Sequence, residues 1–210
     1  TAGADALTLT VDDAANDDGA EAVTIGGDIS VGAFTSLNLT ITGEDTDATG
    51  DTLAVDINGA INLGTGTLTV TADAGNSNNN VAVSVDGNIT AGSIALNGAD
   101  STTTLNLDGA AIQTITGAIT GDSLINVNNA AGVIFANAVT ATSVTVEKTG
   151  GNATALFKDA VTANVILGTD GNAGDVNTVS FDGTTAGYAV TGTIAGTATE
   201  TNNVIAIGGN

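Results

Sequence analysis

Two stretches of this chain repeat one another 22 residues apart (157 − 135). VIFANAVTATSVTV, residues 133–146, and ALFKDAVTANVIL, residues 155–167, align when Phe135 is placed over Phe157. In each stretch apolar residues alternate up to a short polar corner, and Ala-Val-Thr then opens a second alternating run. A chain that repeats itself in this way is expected to build the same structural unit more than once.

The same pattern of strand, corner and second strand recurs along the chain. The apolar residue before the corner stands at eight positions: Ile25, Ile57, Val85, Leu107, Phe135, Phe157, Phe181 and Ile207. A mean spacing of about 26 residues, with two or three strands per unit, is typical of a solenoid. We therefore expect one coil per unit, with like positions stacked about 4.8 Å apart.

Local composition favours strands over helices. The chain has two Lys and Arg residues in total and no Met or Pro, while Gly occurs 29 times. Runs such as TLTVTA, VAVSVDG and SVTVEK alternate apolar and polar residues with period two, which predicts half-buried strands. Gly, Asn and Asp stand at the corners, where they tolerate left-handed backbone angles.

These features predict an all-β fold, a parallel β-helix of about seven to eight irregular coils over residues 22–210. Phe135 and Phe157 are then stacked core side chains on adjacent rungs, and Lys158 and Asp159 occupy a solvent-facing corner. Residues 1–21 are expected to form a strand and an acidic loop that either caps the stack or pairs with a neighbouring molecule. The alternative fold is a β-sandwich, which also uses short strands and frequent turns.

The charge of the chain excludes several classes of function. It carries 23 acidic residues against two lysines, has no His or Cys, and has a formal net charge of −21. Nucleic acid is excluded as a partner because phosphate binding requires Lys or Arg. No apolar run approaches the roughly 20 residues of a membrane span, so no membrane insertion is expected. Disulfide and thiolate chemistry is impossible without cysteine.

Three acidic clusters, EDTDATGD, DDAANDDGAE and TDGNAGD, supply oxygen atoms at short spacing. Ca²⁺ takes six to eight oxygen ligands, so these clusters are candidate calcium sites, and no other cofactor is expected. The clusters lack the Glu that ends an EF-hand loop, and Asp and Asn also favour solvated turns on their own account. The candidate ligands are Asp45, Asp47 and Asp51; Asp12, Asp13, Asp17 and Asp18; and Asp170 and Asp175.

An enzymatic role is not expected. Paired carboxylates can act as acid and base in sugar hydrolysis, but almost any pair in so acidic a chain meets that criterion. The sequence contains no His or Arg, and its two lysines, Lys148 and Lys158, stand in turn-like positions. The electrophilic and proton-transferring groups that a catalytic site requires are therefore missing.

The corner-plus-strand segments resemble the repeats of a known class of proteins. GNITAGSIALNGA (residues 87–99) and FANAVTATSVTV (residues 135–146) are similar to passenger repeats of bacterial autotransporters and filamentous-haemagglutinin-like adhesins. The composition resembles that of bacterial surface-layer proteins. The resemblance runs from about Val23 onward. It implies a secreted β-helical protein with a structural or adhesive role, and it assigns no site residues.

Together these observations predict an extracellular structural protein of the bacterial cell surface. Its partners would be copies of itself, joined into a filament, surface layer or matrix, because the open ends of a solenoid carry unpaired backbone groups. The alternative is an adhesin stalk or passenger fragment that binds a cell surface or a glycan. That alternative predicts an insertion-like loop with exposed aromatics, and it is weakened because the sequence offers only Tyr188 for this role.

Overall fold

A computed structural model describes the chain over residues 5–13, 22–32, 36–45, 52–72, 80–98, 102–168, 174–183, 189–196 and 202–208. Within these ranges there are twenty strands, and all pairings between them are parallel. The prediction of an all-β parallel β-helix is confirmed, and the β-sandwich alternative is wrong. The strands are β1 (Asp5–Asp13), β2 (Ala22–Ile25), β3 (Ile29–Ser30), β4 (Leu37–Asp45), β5 (Thr52–Ile57), β6 (Ile61–Asn62), β7 (Thr67–Ala72), β8 (Asn80–Val85), β9 (Ile89–Asn97), β10 (Thr103–Leu107), β11 (Gln113–Thr120), β12 (Ser123–Val127), β13 (Val133–Phe135), β14 (Val139–Val146), β15 (Thr154–Phe157), β16 (Val161–Leu167), β17 (Thr178–Phe181), β18 (Val190–Thr191), β19 (Ile194–Gly196) and β20 (Val204–Ile207).

The strand pairings define three faces, which the chain visits in a fixed order. Face A consists of β2, β5, β8, β10, β12, residues 143–146 of β14, residues 164–167 of β16, and β19. Face B consists of β3, β6, residues 89–90 of β9, residues 113–116 of β11, β13, β15, β17 and β20. Face C consists of β1, β4, β7, residues 93–97 of β9, residues 118–120 of β11, residues 139–140 of β14, residues 161–162 of β16, and β18. Each face has eight rungs, at the upper end of the predicted seven to eight coils.

Each face contributes at least one unbroken column of apolar side chains to the interior. On face A the column is Val23, Val55, Val83, Leu105, Ile125, Val144, Val165 and Ile194. On face B it is Ile29, Ile61, Ile89, Ile115, Phe135, Phe157, Phe181 and Ile207. On face C it is Leu7, Leu39, Leu68, Ile94, Ile119, Val139, Val161 and Val190. The inner members of all three columns are at most 2% exposed, so they form one continuous core.

The repeat read from the sequence crosses from one face to another. Leu107 lies on face A, and its partner on the next rung is Val127. Phe135 lies on face B directly above Ile115. The interval between Leu107 and Phe135 is therefore not one coil, and the eight anchor positions belong to two columns. The sequence pattern could not separate them because strands on both faces end in an apolar residue followed by a small polar corner.

The phenylalanines form a stack inside face B, as the sequence predicts for Phe135 and Phe157. Their ring centroids lie 4.8 Å apart with planes 7° from parallel, and Phe157 and Phe181 follow at 5.4 Å and 14°. The first spacing matches the separation of neighbouring strands, so ring stacking and strand pairing reinforce each other. The predicted corner is also confirmed, with Lys158 exposed and Asp159 half-buried.

Glycine is required where the chain turns from face B to face C without leaving the sheet. Gly117 has a φ of +123°, and a Cβ there would stand 2.7 Å from the carbonyl oxygen of Ala91 on the previous rung. Only glycine combines that backbone angle with so close an approach. The corner therefore stays short, and β11 continues from one face to the next.

Asparagine and aspartate side chains join successive rungs. Among the described residues, six of them accept a hydrogen bond from a backbone N–H one rung later in the chain, and Asn177 accepts one from Ala153, one rung earlier. The effect is a second set of rung-to-rung bonds beside the backbone ladder, each worth about 1 kcal/mol. The six pairs, acceptor first, are Asp28 with Ala60, Asn38 with Thr67, Asn80 with Thr102, Asn88 with Thr114, Asn152 with Val176, and Asn164 with Thr193.

Two buried amides fill the corner between faces A and B. The Gln113 Nε2 group donates to the carbonyl oxygens of Val85 at 2.7 Å and Gly87 at 2.9 Å. The Gln113 Oε1 atom accepts from Asn129 Nδ2 at 2.8 Å, and Asn129 Oδ1 accepts from two backbone N–H groups of its own turn. Both residues are at most 1% exposed, so their burial is tolerated because these polar atoms are paired.

Replacing the middle ring of the stack tests the core. We expect Phe157→Ala to lower the free energy of unfolding by about 3–5 kcal/mol, because it leaves a cavity between two rings. Leu156→Ala, at a half-buried outward position of the same strand, is the control and should cost clearly less. Urea unfolding followed by far-UV circular dichroism measures both, and equal losses would contradict the stacked arrangement.

Removing one amide tests the buried corner. Asn129→Ala leaves two backbone donors and the carbonyl oxygen of Ala111 without this partner, and each unsatisfied buried group costs about 1–3 kcal/mol. Asn137→Ala, at a half-buried corner of face B, is the matched control. The same unfolding measurement should show a large loss for the first variant and a small loss for the second. A stability unchanged in Asn129→Ala would show that the network contributes nothing.

Candidate functional site

The pairing of β1 with β4 places the first residues of two predicted calcium clusters beside each other. Asp12 and Asp13 end β1, while Glu44 and Asp45 end β4. Asp12 pairs with Glu44 and Asp13 pairs with Asp45, so acidic residues occupy neighbouring positions at this edge of face C. The remaining members of these clusters, Asp17, Asp18, Asp47 and Asp51, lie outside the described residues.

The third predicted cluster is only partly described. Asp170 lies outside the described residues, and Asp175 is about nine-tenths buried at the approach to β17. The Oδ2 atom of Asp175 is buried without a hydrogen-bond partner. In the described ranges no three residues among His, Cys, Asp and Glu come together to hold a metal. Calcium binding by these residues remains a prediction.

The outer surface of face A carries a polar site that the sequence did not reveal. Two columns of outward positions on its middle rungs are occupied by amides, hydroxyls and carboxylates, which we call the polar strip. The Nδ2 group of Asn126 donates to Asn106 Oδ1 at 2.9 Å, and Asn106 Nδ2 donates to Ser84 Oγ at 3.2 Å. The strip comprises Asp56, Ser84, Asn106, Asn126 and Thr145 in one column, and Asn58, Asp86, Asp108, Asn128 and Glu147 in the next.

A shallow groove of about 390 Å³ runs along the later rungs of the polar strip. All of its lining residues are polar in type, and it contains no aromatic ring on which a sugar could stack. Lys148 stands beside it and donates from Nζ to the carbonyl oxygen of Asn128 at 3.5 Å. The groove can therefore recognise a ligand through hydrogen bonds and cation contacts only. Its lining residues are Asn106, Asp108, Asn126, Asn128, Thr145, Glu147 and Thr149.

Asp108 is the residue of the polar strip whose pKa is perturbed by its surroundings. Burial of its carboxyl raises the pKa of Asp108 above the ordinary value, and the negative charge of Asp86 on the previous rung raises it further. The Oδ1 atom of Asp108 is buried and has no hydrogen-bond partner. The carboxylate form is thus penalised by desolvation and by a like charge, the two causes that favour protonation of an acid.

A sequence signal for the strip exists, but it is visible only in the correct register. The segments LNLDG and INVNN place Asn106 and Asp108 directly under Asn126 and Asn128 once β10 is paired with β12. Viewed one segment at a time, the same residues look like ordinary turn formers, because Asp and Asn favour corners. The sequence repeat aligned segments that belong to different faces, and this misalignment concealed the recurrence of these polar residues at alternate outward positions.

No protein-family model matches the chain, and neither the curated proteins nor the solved structures contain a significant match to it. The parallel solenoid is therefore established by its strand pairing alone. No helix with the length and hydropathy of a membrane span occurs in the described ranges.

Neutralising Asp108 tests its environment. Because the folded-state pKa of Asp108 is raised, the stability penalty is absent below the ordinary value of 3.8 and develops as the pH rises through the folded pKa. We expect Asp108→Asn to raise the free energy of unfolding at pH 7 by roughly 0.5 kcal/mol, a small figure because solvent screens a half-buried group. The gain should shrink as the pH approaches 3.5.

Urea unfolding at both pH values measures this effect. Asp122→Asn, at an exposed turn before β12, is the matched control and should change stability little at either pH. A loss of stability in Asp108→Asn at pH 7 would contradict the argument, because it would mean that the carboxylate has a favourable partner.

Proposed function

We propose that this chain is an extracellular structural protein of the bacterial cell surface that works by associating with copies of itself. The observation that carries the proposal is the uninterrupted stacking of parallel rungs around one apolar core, with core positions exposed in the first and last rungs that the structure describes. Leu7 on the first rung is 46% exposed, whereas Leu39 on the second is 1% exposed. Ile207 on the last rung is 83% exposed, whereas Phe181 beneath it is 2% exposed. Apolar edges of this kind favour association with further strands.

The architecture supports the same proposal. A parallel solenoid buries each rung against its two neighbours, so its length increases by adding rungs without altering the core. The resemblance to autotransporter passenger and surface-layer proteins implied such an architecture, and it supports an extracellular location. We propose no catalytic role, because the sequence contains no His, Cys or Arg to supply the usual proton-transferring and electrophilic groups.

Charge opposes association and gives calcium its proposed role. A net charge of −21 makes copies repel one another, most strongly at low ionic strength. The acidic residues paired at the ends of β1 and β4, and the carboxylates of the polar strip, are the groups that we propose a cation neutralises. Calcium suits them because it takes many oxygen ligands and sheds its water readily.

Assembly measurements test the proposal. We expect the purified chain to form particles larger than a monomer in about 5 mM calcium or near pH 4, where charge repulsion is reduced. Light scattering detects the assembly, and negative-stain electron microscopy distinguishes filaments from sheets. Magnesium at the same concentration should be less effective, because it retains its water, and sodium chloride of equal ionic strength is the control for screening. A chain that remains monomeric in all of these conditions would contradict the proposal.

The groove on face A supports a second candidate function, that of an adhesin whose cell-surface glycan is held by hydrogen bonds without aromatic stacking. Its amides and carboxylates present donors and acceptors that sugar hydroxyls can pair with. Binding of wild-type protein to immobilised glycans, reduced by Asn126→Ala and unaffected by Asp122→Asn, would support this function. Absence of binding to neutral and to charged glycans would remove it.

A further inference from the structure

The outward side of face C carries threonine hydroxyls at regular positions. In β4 and β7 threonines alternate with buried apolar residues, and strand pairing sets Thr40 beside Thr69 and Thr42 beside Thr71. We call these four half-buried residues the threonine array. The column through Thr40 and Thr69 continues over all eight rungs of face C, and seven of its eight members are threonine: Thr8, Thr40, Thr69, Ala95, Thr120, Thr140, Thr162 and Thr191.

The side chains of the threonine array are held in fixed positions. The β-branch of threonine restricts rotation about χ1, so each hydroxyl and methyl group keeps its place on the strand. Beside the array, the Oγ1 atom of Thr67 and the Oγ atom of Ser93 lie 3.1 Å apart, so hydroxyls of neighbouring rungs are aligned. The array is therefore a rigid two-dimensional lattice of hydroxyl and methyl groups. Its strands are anchored by buried inward neighbours: Leu39, Ile41, Leu68 and Val70.

Face C is uncharged at its described outward side chains, although the chain contains 23 acidic residues. These side chains belong to Ala, Ser, Thr and Asn, and the acidic pairs that end β1 and β4 follow beyond the array. Such a surface has no charge with which to attract a cation or a basic protein. It also lacks the large aromatic side chains that protein interfaces favour. Its chemistry fits a neutral partner that offers oxygen atoms at a regular spacing.

The spacing of the array matches that of crystalline water. Neighbouring parallel strands lie about 4.8 Å apart, and alternate residues along one strand lie about 6.6 Å apart. In ice each oxygen bonds tetrahedrally to four others at an O–H···O distance of about 2.75 Å, which places second-neighbour oxygens about 4.5 Å apart and gives a layer repeat of about 7.3 Å. The mismatch is about 0.7 Å between the two columns and about 0.3 Å per rung, so it reaches only about 1 Å over four rungs. Several hydroxyls of face C can therefore meet lattice oxygens at once.

We propose that face C binds ice, with the threonine array at the centre of the contact. The hydroxyl groups of the array bond to water molecules held at lattice positions, and the methyl groups exclude water that does not fit the lattice. A surface whose groups already stand at the lattice spacing loses little side-chain freedom on binding. Ice covered by adsorbed protein grows less readily, so its freezing temperature falls below its melting temperature. This activity goes beyond the proposed self-association and does not require it.

Freezing measurements on the full chain test the proposal. A single ice crystal in a solution of the wild-type protein should show a gap between its melting and freezing temperatures. Ice grown slowly from the same solution should take up the protein rather than exclude it. Wild-type protein that leaves the two temperatures equal and stays in the liquid would overturn the proposal.

A long charged side chain within the array tests the face. We expect Thr69→Lys to reduce the gap between melting and freezing temperatures by about tenfold or more, because the lysine holds the face away from the lattice and would be buried unpaired in the contact. Thr104→Lys is the matched control, a half-buried outward threonine of face A, and should behave like the wild type. Circular dichroism verifies that each variant is folded. If Thr69→Lys does not fold, Thr40→Lys, one rung earlier in the same column, replaces it.

The outcomes separate this inference from self-association. Equal losses from lysine on face A and on face C would show that the array is not the contact, and would overturn the proposal. Light scattering in the same buffer reports assembly independently of ice binding. A monomeric chain that still produces the temperature gap leaves the inference standing, whereas an assembled chain that produces no gap removes it. A gap abolished by substitution on face C alone supports the proposal.

Discussion

The structure depends on the stacking of like side chains at the spacing of parallel strands. Eight rungs place an apolar residue over an apolar residue on each of three faces, and a shift of one residue in any rung would turn its core positions outward. The three aligned phenylalanines show how narrow the tolerance is, because their rings are separated by little more than the strand spacing. Coil length is free to vary only where the chain leaves the strands. The long coil from Ile25 to Ile57 and the short coil from Leu107 to Val127 therefore share one core.

Much of this fold was predictable from the sequence, for identifiable reasons. Period-two alternation, β-branched residues and recurrence at short intervals specify parallel rungs, and the near-duplicate around Phe135 and Phe157 specifies one pair of neighbours. The face to which each segment belongs was not predictable from the same signals. Leu107 and Phe135 have similar flanking sequences but occupy different faces, and only long-range strand pairing distinguishes them.

The candidate site was less predictable, because its chemistry comes from alignment across rungs. The acidic residues Asp12, Asp13 and Asp45 are visible in the sequence, but their alignment on neighbouring rungs is known only from the strand pairing. The polar strip has no such runs. Asp108 is one aspartate in a common corner motif, and its raised pKa arises from burial and from Asp86, which lies one rung earlier. Likewise Gln113 looks like a surface amide in sequence, and its burial follows from the hydrogen bonds that it shares with its neighbours.

The amide and carboxylate bridges between rungs give the molecule a direction. In six of the seven described cases the oxygen belongs to the earlier rung and the N–H group to the later one. A nascent chain that has completed its first rungs therefore already displays acceptors for the segment that follows. When folding starts at the amino end, each new rung donates its N–H groups to side-chain oxygens that are already in place. A rung that folded first at the carboxyl end would lack these acceptors until the preceding rung had formed. The solenoid is suited to vectorial folding, in which each turn is shaped by the one before it.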